Sequence, residues 1–267
     1  MKTLKVKCPA KINLGLKVVN KRPDGFHNID SVMQTINLYD YLTISVESAN
    51  ENEILLSGNS AEIPYDERNL VYKAAKLFLD STKLPACRIR IDIEKHIPIA
   101  AGLAGGSTDA AGTLYGLNKL FDELMTDVEL HNLCAKLGSD LNVCLRGGCL
   151  KTSGRGEVIE PAEYKEFKVR LMKPLNLGIS AKEAYTKFSQ KMQLGEDIAT
   201  RDSFVNDLEW AIINDYEELQ FIKNKYPKAV MTGSGSTYFS LSEDFDPTEG
   251  YYVNNTLTTI PDGVTVL

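Results

Sequence analysis

Alternation of apolar and polar residues predicts strands in both halves of this chain. From Cys87 to Ile93, isoleucines alternate with arginine and aspartate, which is typical of a strand with one buried face. Further apolar runs predict strands at 12–19, 32–38, 169–172, 229–231 and 238–241. The first two of these runs are separated by Pro-Asp-Gly at 23–25, which is a turn signal.

Apolar residues at helical spacing predict helices between these strands. The spacing covers 70–78 and 110–121, and other helices are expected to begin at Ser180 and Phe204. Thr126 and Glu129 form a capping box for a helix that ends at Gly138. The pattern therefore indicates a mixed α and β protein. A polar, glycine-containing connection at 151–157 predicts a boundary between one domain at 1–152 and another at 153–267.

A glycine-rich segment, Pro98 to Ala111, joins the strand at 87–93 to the helix at 110–121. Three glycines precede Ser107, where the helix is expected to begin, and glycine lets the backbone come close to a ligand. The first amides of a helix have no intrahelical partner, so such a helix start binds phosphate. The segment has neither the Gly-Lys-Ser/Thr of a Walker A loop nor the spacing of a dinucleotide fingerprint. The alternative is a glycine-rich turn that merely leads into a helix.

The composition, 43% hydrophobic and 25% charged, is that of an ordinary globular protein. A formal net charge of −6 argues against nucleic acid as the main partner, because proteins that bind it usually carry a basic face. No apolar run reaches ~18 residues, so we expect no membrane span. The N-terminus lacks an apolar signal core. Five cysteines, mostly in apolar patterns, predict free thiols in a reducing cytoplasm.

Four shorter segments carry polar groups that chemistry could use. Lys11 stands alone among apolar residues at a strand start, where burying an unpaired charge is costly. His27, Asp140 and the glycine loop at 232–237 lie at turns or after a helix end. Each also has a plainer interpretation. Lys11 would then be a sheet-edge lysine, His27 a hydrogen-bonded turn histidine and Asp140 a solvated turn aspartate. The loop at 232–237 would be a glycine-serine turn. Asp140 becomes a candidate only if Lys11 lies beside it.

Together these segments resemble the GHMP kinases, the superfamily of galactokinase, homoserine kinase, mevalonate kinase and phosphomevalonate kinase. Residues 98–111 are similar to the superfamily's phosphate-binding motif. Further motifs occur in the order of the branch that acts on a cytidine-diphosphate-linked methylerythritol. They are Pro-Ala-Lys-Ile-Asn-Leu at 9–14, Arg-Pro-Asp-Gly-Phe-His at 22–27, the segment 66–75, Gly-Arg-Gly-Glu at 154–157, Asn-Asp-Leu-Glu at 206–209 and Gly-Ser-Gly at 233–235. The resemblance covers roughly the whole chain. It implies an α+β, two-domain GHMP kinase fold, in which the N-terminal domain is like domain 2 of ribosomal protein S5 and the C-terminal domain is ferredoxin-like.

The resemblance also implies a kinase that uses ATP and Mg²⁺. Asp140 matches the catalytic aspartate, which takes the proton of the substrate hydroxyl, and Lys11 matches the lysine beside it. A cation within ~4–6 Å favours the ionised carboxylate. Ser107 is the protein group expected near the metal. The implied acceptor is the 2-hydroxyl of the cytidine-diphosphate-linked polyol.

The remaining expected site residues follow from the same resemblance. Those for ATP are Asn69, Lys95, Pro98, Ala101, Gly102, Leu103, Ala104, Gly105, Gly106, Ser107 and Thr108. Those for the second substrate are Asn13, Phe26, His27, Asp140 and Tyr185. Phe26 and Tyr185 are expected to stack on opposite faces of the cytosine, while His27 bonds the base and Asn13 lies near the polyol.

The sequence departs from the family's usual pattern at two places. Ala104 stands where glycine is usual, and alanine fits there if its φ is negative. Leu141-Asn142-Val143 stands where a hydrophobic residue, proline and phenylalanine usually follow the aspartate. Two alternatives therefore stay open, a GHMP kinase for another small alcohol and a relative that binds nucleotide without catalysis. We expect a cytoplasmic monomer or weak homodimer with no nucleic-acid or membrane partner.

Overall fold

Eleven strands form two β-sheets in the computed structural model, which describes residues 1–267. The strands are β1 (Lys2–Lys21), β2 (His27–Ser48), β3 (Glu53–Gly58), β4 (Cys87–Glu94), β5 (Cys149–Ser153), β6 (Val158–Pro161), β7 (Lys168–Pro174), β8 (Val230–Met231), β9 (Tyr238–Ser240), β10 (Tyr251–Thr258) and β11 (Thr265–Val266). The larger sheet has the order β11–β1–β2–β4–β3, with β5 paired to β2 and β6 to β5. The smaller sheet has the order β10–β7–β9–β8 and is antiparallel throughout.

Helices cover these sheets and complete the mixed architecture that the sequence predicts. They are α1 (Leu70–Asp80), α2 (Gly105–Leu120), α3 (Asp127–Leu137), α4 (Leu141–Arg146), α5 (Ala181–Leu194), α6 (Ile198–Arg201), α7 (Asp207–Ile212) and α8 (Glu217–Lys225). Ile89, Ile91 and Ile93 of β4 are buried in one core with apolar residues of α1 and α2, which confirms the predicted one-sided strand. A Cβ at Gly112 of α2 would lie 2.3 Å from the sulfur of Cys8 in β1, so glycine lets this helix lie directly on the sheet.

The observed elements differ from the sequence prediction in length. The predicted strands at 12–19 and 32–38 are parts of the much longer β1 and β2. Register shifts between Pro9 and Ala10 and between Asn13 and Gly15 interrupt their pairing, and a bulge hides a continuous strand from a simple period-two pattern. The helix pattern predicted from Phe204 is divided in the structure into α7, a 3₁₀ turn at Ile213–Asp215 and α8.

The division into domains at 1–152 and 153–267 stays a proposal. Residues 168–258 contain all four strands of the smaller sheet. The larger sheet, however, draws strands from both sides of the proposed boundary, since β6 pairs with β5 and β11 pairs with β1.

The cysteines are buried and none is in a disulfide, as expected from the sequence. Burial raises the pKa of the Cys134 thiol to about 12, so this group stays protonated at neutral pH. None of the helices combines the length and the apolar character that crossing a bilayer requires.

Candidate active site

A cleft of about 540 Å³ brings together residues that are far apart in the sequence. This volume lies within the range of ligand sites, roughly 300–1,000 Å³. One wall comes from β1, the glycine segment and the start of α4, while Tyr185 of α5 and the loop residues Gly233 and Ser234 form another. The cleft therefore draws on residues from both proposed domains.

Lys11 lies beside Asp140 at the floor of this cleft. The Lys11 ammonium donates hydrogen bonds to the Asn13 side-chain oxygen at 2.8 Å and to the Gly102 carbonyl at 3.0 Å. It also lies 3.4 Å from the nearer Asp140 carboxylate oxygen. The Lys11 side chain is only 3% exposed, whereas that of Asp140 is 28% exposed. The lysine is thus held in place, and the carboxylate remains open to a ligand.

The glycine segment forms a tight loop that opens α2. Gly102 has φ +73°, and a Cβ at this position would lie 2.1 Å from the Thr232 carbonyl oxygen, so only glycine fits. The helix begins at Gly105, two residues before the predicted start at Ser107. Gly105, Gly106 and Ser107 line the cleft at the end of α2 where amides lack intrahelical partners. This arrangement supports anion binding.

Ala104 adopts the left-handed conformation, with φ +62° and ψ +26°. The condition of a negative φ, under which alanine fits without strain, is therefore not met. A non-glycine residue in this region costs on the order of 1–2 kcal/mol, because its Cβ approaches the following carbonyl oxygen. Ala104 is also the residue before the helix and supplies no side-chain cap, so its backbone conformation alone sets the turn.

Most of the expected ATP contacts line the cleft, but Thr108 does not. Those that do are Asn69, Lys95, Pro98, Ala101, Gly102, Leu103, Ala104, Gly105, Gly106 and Ser107. Thr108 is fully buried, and its amide donates to the Ala104 carbonyl at 2.9 Å inside the helix. Thr108 stays a predicted ATP contact, although its burial does not favour this role. Asn69 lines the cleft but also caps α1, because its side-chain oxygen accepts from the Val71 amide at 2.9 Å.

Lys95 is held by two buried carboxylates that the sequence analysis missed. Its ammonium bonds to Asp40 and lies 2.7 Å from Asp109, while its side chain is only 7% exposed. Asp40 in turn accepts hydrogen bonds from the amides of His96 and Ile97 at 2.6 and 2.8 Å. The sequence signal that could have indicated this cluster was the presence of one acidic residue, Asp40 or Asp109, in each of two otherwise apolar segments. With its ammonium engaged in this cluster, Lys95 supports the cleft wall as well as facing it.

The charges of this cluster are not balanced, since two carboxylates share one ammonium. Burial raises the pKa of Asp109 to about 7, although Lys95 opposes this. Burial also disfavours the charged form of Lys95, but the two carboxylates outweigh it and the pKa of Lys95 is raised. One of the Asp109 oxygens is buried without a hydrogen-bond partner. Burial thus favours the protonated form of Asp109.

The expected cytosine contacts lie at the other end of the site, and they are arranged differently from the predicted stack. Tyr185 lines the cleft, but its ring stacks on His27, with centroids 5.1 Å apart. Phe26 is 52% exposed, does not line the cleft and has the Arg155 guanidinium 5.0 Å from its ring centre. An open slot between Phe26 and Tyr185 is therefore not preformed. Arg155 is a cleft residue that only the Gly-Arg-Gly-Glu segment could have indicated.

His27 and Asn13 are fixed by hydrogen bonds. His27 Nε2 lies 2.9 Å from the Ser189 hydroxyl, and burial lowers the pKa of its imidazole. Asn13 lines the cleft and is fully buried, and its side chain accepts from Lys11 and donates to Ser31 at 2.9 Å. Asn13 therefore faces the cleft in a settled orientation, whereas His27 does not line the cleft.

Comparison with known proteins agrees with this fold. Residues 69–148 match the model of the GHMP kinase N-terminal domain. A 4-diphosphocytidyl-2-C-methyl-D-erythritol kinase of Prochlorococcus marinus is 38% identical, with 90% of this chain and 86% of the relative covered. The enzyme of the same name from Clostridium perfringens is 36% identical, with 90% and 89% covered. A crystal structure of 4-(cytidine 5'-diphospho)-2C-methyl-D-erythritol kinase superposes with a TM-score of 0.69 at 29% identity, covering 90% of each chain.

The fold and the glycine loop thus define the class, which is that of the GHMP kinases. Sequence identity of 36% and 38% along nine-tenths of the chain indicates a particular family within this class. The chain belongs to the family of 4-diphosphocytidyl-2-C-methyl-D-erythritol kinases.

Proposed function

We propose that this protein transfers the γ-phosphoryl group of ATP to the 2-hydroxyl of 4-diphosphocytidyl-2-C-methyl-D-erythritol. The observation that carries the proposal is the Lys11–Asp140 pair, 3.4 Å apart, in the same cleft as the glycine loop. Membership of the kinase family supports the choice of substrate. Phosphoryl transfer depends mostly on positioning and electrostatics, which a fixed cation and a loop of backbone amides supply.

In the proposed reaction, Asp140 acts as the general base. The substrate hydroxyl gives its proton to the Asp140 carboxylate while its oxygen attacks the γ-phosphorus. The bond from that phosphorus to the bridging oxygen breaks, and ADP leaves with the electron pair. Lys11 favours the ionised form of Asp140 and offsets the negative charge of the transferring group.

The nucleotide phosphates are proposed to bind at the start of α2, where the amides of Gly105, Gly106 and Ser107 have no intrahelical partner. The described residues include no cluster of three His, Cys, Asp or Glu side chains that could hold a metal by themselves. Oxygen donors do line the cleft at Ser107 and Asp140, which fits Mg²⁺ held mainly by phosphates and water. Ser107 would be the protein group that holds it, and the metal would supply positive charge that offsets the charge of the phosphates.

The pyrimidine end of the substrate is proposed to bind near His27 and Tyr185. Because these rings stack on each other, a base that stacks on Tyr185 has to displace His27 or use the other face of the tyrosine. Phe26, which is exposed at the rim, would close over the base from outside. Free and buried cysteines further support a reducing compartment, and we propose the cytoplasm.

The proposal is tested by ADP release from ATP with the cytidyl substrate, homoserine and mevalonate assayed in parallel. We expect turnover with the cytidyl substrate and none above background with the other two. Preferred turnover of homoserine or mevalonate would instead identify a kinase for another alcohol. If ATP binds but no acceptor gives ADP release, the chain is a nucleotide-binding relative without catalysis.

A further inference from the structure

Thr232 joins the second glycine loop, at residues 232–237, to the strand that carries Lys11. Its side chain is completely buried. The Thr232 hydroxyl accepts a hydrogen bond from the Asn13 backbone amide at 2.9 Å and donates to the Gly102 carbonyl at 3.3 Å. The same Gly102 carbonyl accepts from the Lys11 ammonium. One hydroxyl thus connects β1, the phosphate loop and the lysine partner.

The Asn13 amide depends on this hydroxyl because the strand is irregular at that point. The pairing of β1 with β2 shifts register between Asn13 and Gly15, and the Asn13 amide donates to Thr232. A few residues earlier, the Lys11 amide donates to the Leu103 carbonyl at 3.1 Å. Backbone amides of the β1 segment that carries Lys11 therefore donate hydrogen bonds to the glycine segment and to the loop at 232–237.

The loop that holds Thr232 is itself fixed from behind. The side-chain amide of Asn206, at the start of α7, donates to the carbonyls of Met231 and Gly233 at 2.7 and 2.8 Å. The Thr232 amide donates to the Thr237 carbonyl at 2.9 Å. The carbonyls of the residues before and after Thr232 are thus both hydrogen-bonded to Asn206, so the backbone fixes the position of the Thr232 hydroxyl.

We propose that Thr232 is a positioning residue, which sets the distance of the Lys11 ammonium from Asp140 and from the phosphate loop. The inference rests on the proposed catalytic role of Lys11. Thr232 touches neither reacting group. It acts through the Asn13 backbone amide and the Gly102 carbonyl, and the Lys11 ammonium donates to the side-chain oxygen of Asn13 and to that same carbonyl. A displacement of about 1 Å in such an arrangement can cost on the order of 10²-fold in rate.

The test compares Thr232→Val with Thr237→Val. Both threonines are fully buried in one loop, but the Thr237 hydroxyl has no hydrogen-bond partner and its residue does not line the cleft. Thr232→Val removes the bridging hydroxyl at nearly constant volume. We expect its kcat to fall roughly 10- to 100-fold with KM for ATP changed by less than about threefold, since a positioning defect acts on the reacting geometry. Thr237→Val keeps the wild-type kcat, and Thr232→Ser restores most of the lost rate.

Two outcomes would overturn the inference. One is an equal effect of the two valine variants on kcat, which would show that Thr232 contributes only to packing. The other is a crystal structure of Thr232→Val in which the Lys11 ammonium keeps its 3.4 Å distance from Asp140. The crystal structure separates this inference from the proposed function, because it reports the place of Lys11 even if the wild-type protein does not phosphorylate the cytidyl substrate.

Discussion

His27 and Tyr185 stack with their ring planes only 16° from parallel, across the junction of β2 and α5. His27 also meets the edge of Phe188, whose ring in turn lies against Trp210. The proposed pyrimidine site is therefore continuous with the aromatic core of the second half of the chain. Substitutions at this site have to be separated into those that alter binding and those that alter the core.

Phe26→Ala is expected to weaken binding of the cytidyl substrate without loss of stability. The ring is half exposed, so its removal leaves the core intact. Stacking of an aromatic side chain on a base is worth roughly 1–3 kcal/mol, which corresponds to about 5- to 150-fold in affinity. Calorimetric titration with each ligand measures the effect, and ATP affinity serves as the internal control. Unchanged binding of the cytidyl substrate would remove Phe26 from the site.

Tyr185→Ala is expected to reduce both substrate affinity and melting temperature. Tyr185 packs against two groups of buried apolar residues, so truncation also removes core contacts. Tyr185→Phe is the matched control, because it keeps the ring and removes only the hydroxyl. It should retain both properties. Loss of stability with full retention of substrate affinity would mean that Tyr185 is a packing residue alone.

Asp140→Asn is expected to abolish most phosphoryl transfer while ATP still binds. The change keeps the shape of the side chain and removes the base, and loss of a general base typically costs about 10²–10⁴ in rate. Single-turnover kinetics and ATP titration measure the two effects separately. A variant that retained more than about half of the wild-type rate would be incompatible with a general-base role.

Gly102→Ala is expected to destabilise the protein and weaken ATP binding, whereas Gly106→Ala should leave stability unchanged. At Gly102 the added Cβ would meet the Thr232 carbonyl at 2.1 Å in a left-handed conformation. At Gly106 it would meet no atom within 4 Å, and the backbone is not in the left-handed region. Thermal unfolding of the two variants, with and without ATP, measures the contrast. Equal melting temperatures would show that the loop can shift to accept the extra methyl.

Stability is expected to fall as pH rises through the range in which Asp109 titrates. Its pKa in the folded state is raised by burial to about 7, above the ordinary value of 3.8. Between these values the folded state holds a proton that the unfolded chain releases. The stabilisation from this proton is therefore complete when the pH is below 3.8, the ordinary pKa of the carboxyl. It is lost as the pH rises through about 7, the pKa of Asp109 in the folded state. The groups that face Asp109 are Lys95, Asp40 and the Cys8 thiol, which is itself protonated because burial raises its pKa.

Asp109→Asn tests this dependence, since asparagine does not titrate. Between about pH 5 and about pH 8, the melting temperature of the wild-type protein should fall by more than that of the variant. Asp92→Asn, at an exposed position of β4, should behave like the wild type. Parallel pH profiles for the wild type and Asp109→Asn would show that Asp109 does not take up the proton.

Local sequence patterns predicted the strand at 87–93 and the capping box of α3 because neighbouring residues fix both features. The pairing of Lys11 with Asp140 was expected only from the family resemblance, since no local pattern brings a residue of β1 to the start of α4. The carboxylates that hold Lys95 were missed for the same reason. Asp40 reaches Lys95 through the alignment of β2 with β4, and Asp109 reaches it through the turn of the glycine segment.

The backbone angle of Ala104 shows a different limit. Alanine by itself favours a negative φ, and the surrounding loop overrides this preference. The predicted cytosine contacts show a third limit. The resemblance implied that Phe26 and Tyr185 stack on the cytosine, but it could not show that Tyr185 stacks on His27 when no base is bound.

The pairing of Val6 with Val266 has a consequence for synthesis on the ribosome. β1 is synthesised before the strand that covers its outer edge, which contains residues 265 and 266. Throughout translation of the intervening residues, the nascent chain exposes an uncovered strand edge, and such edges favour pairing with other chains. The larger sheet can therefore be completed only after residues 265 and 266 have been synthesised.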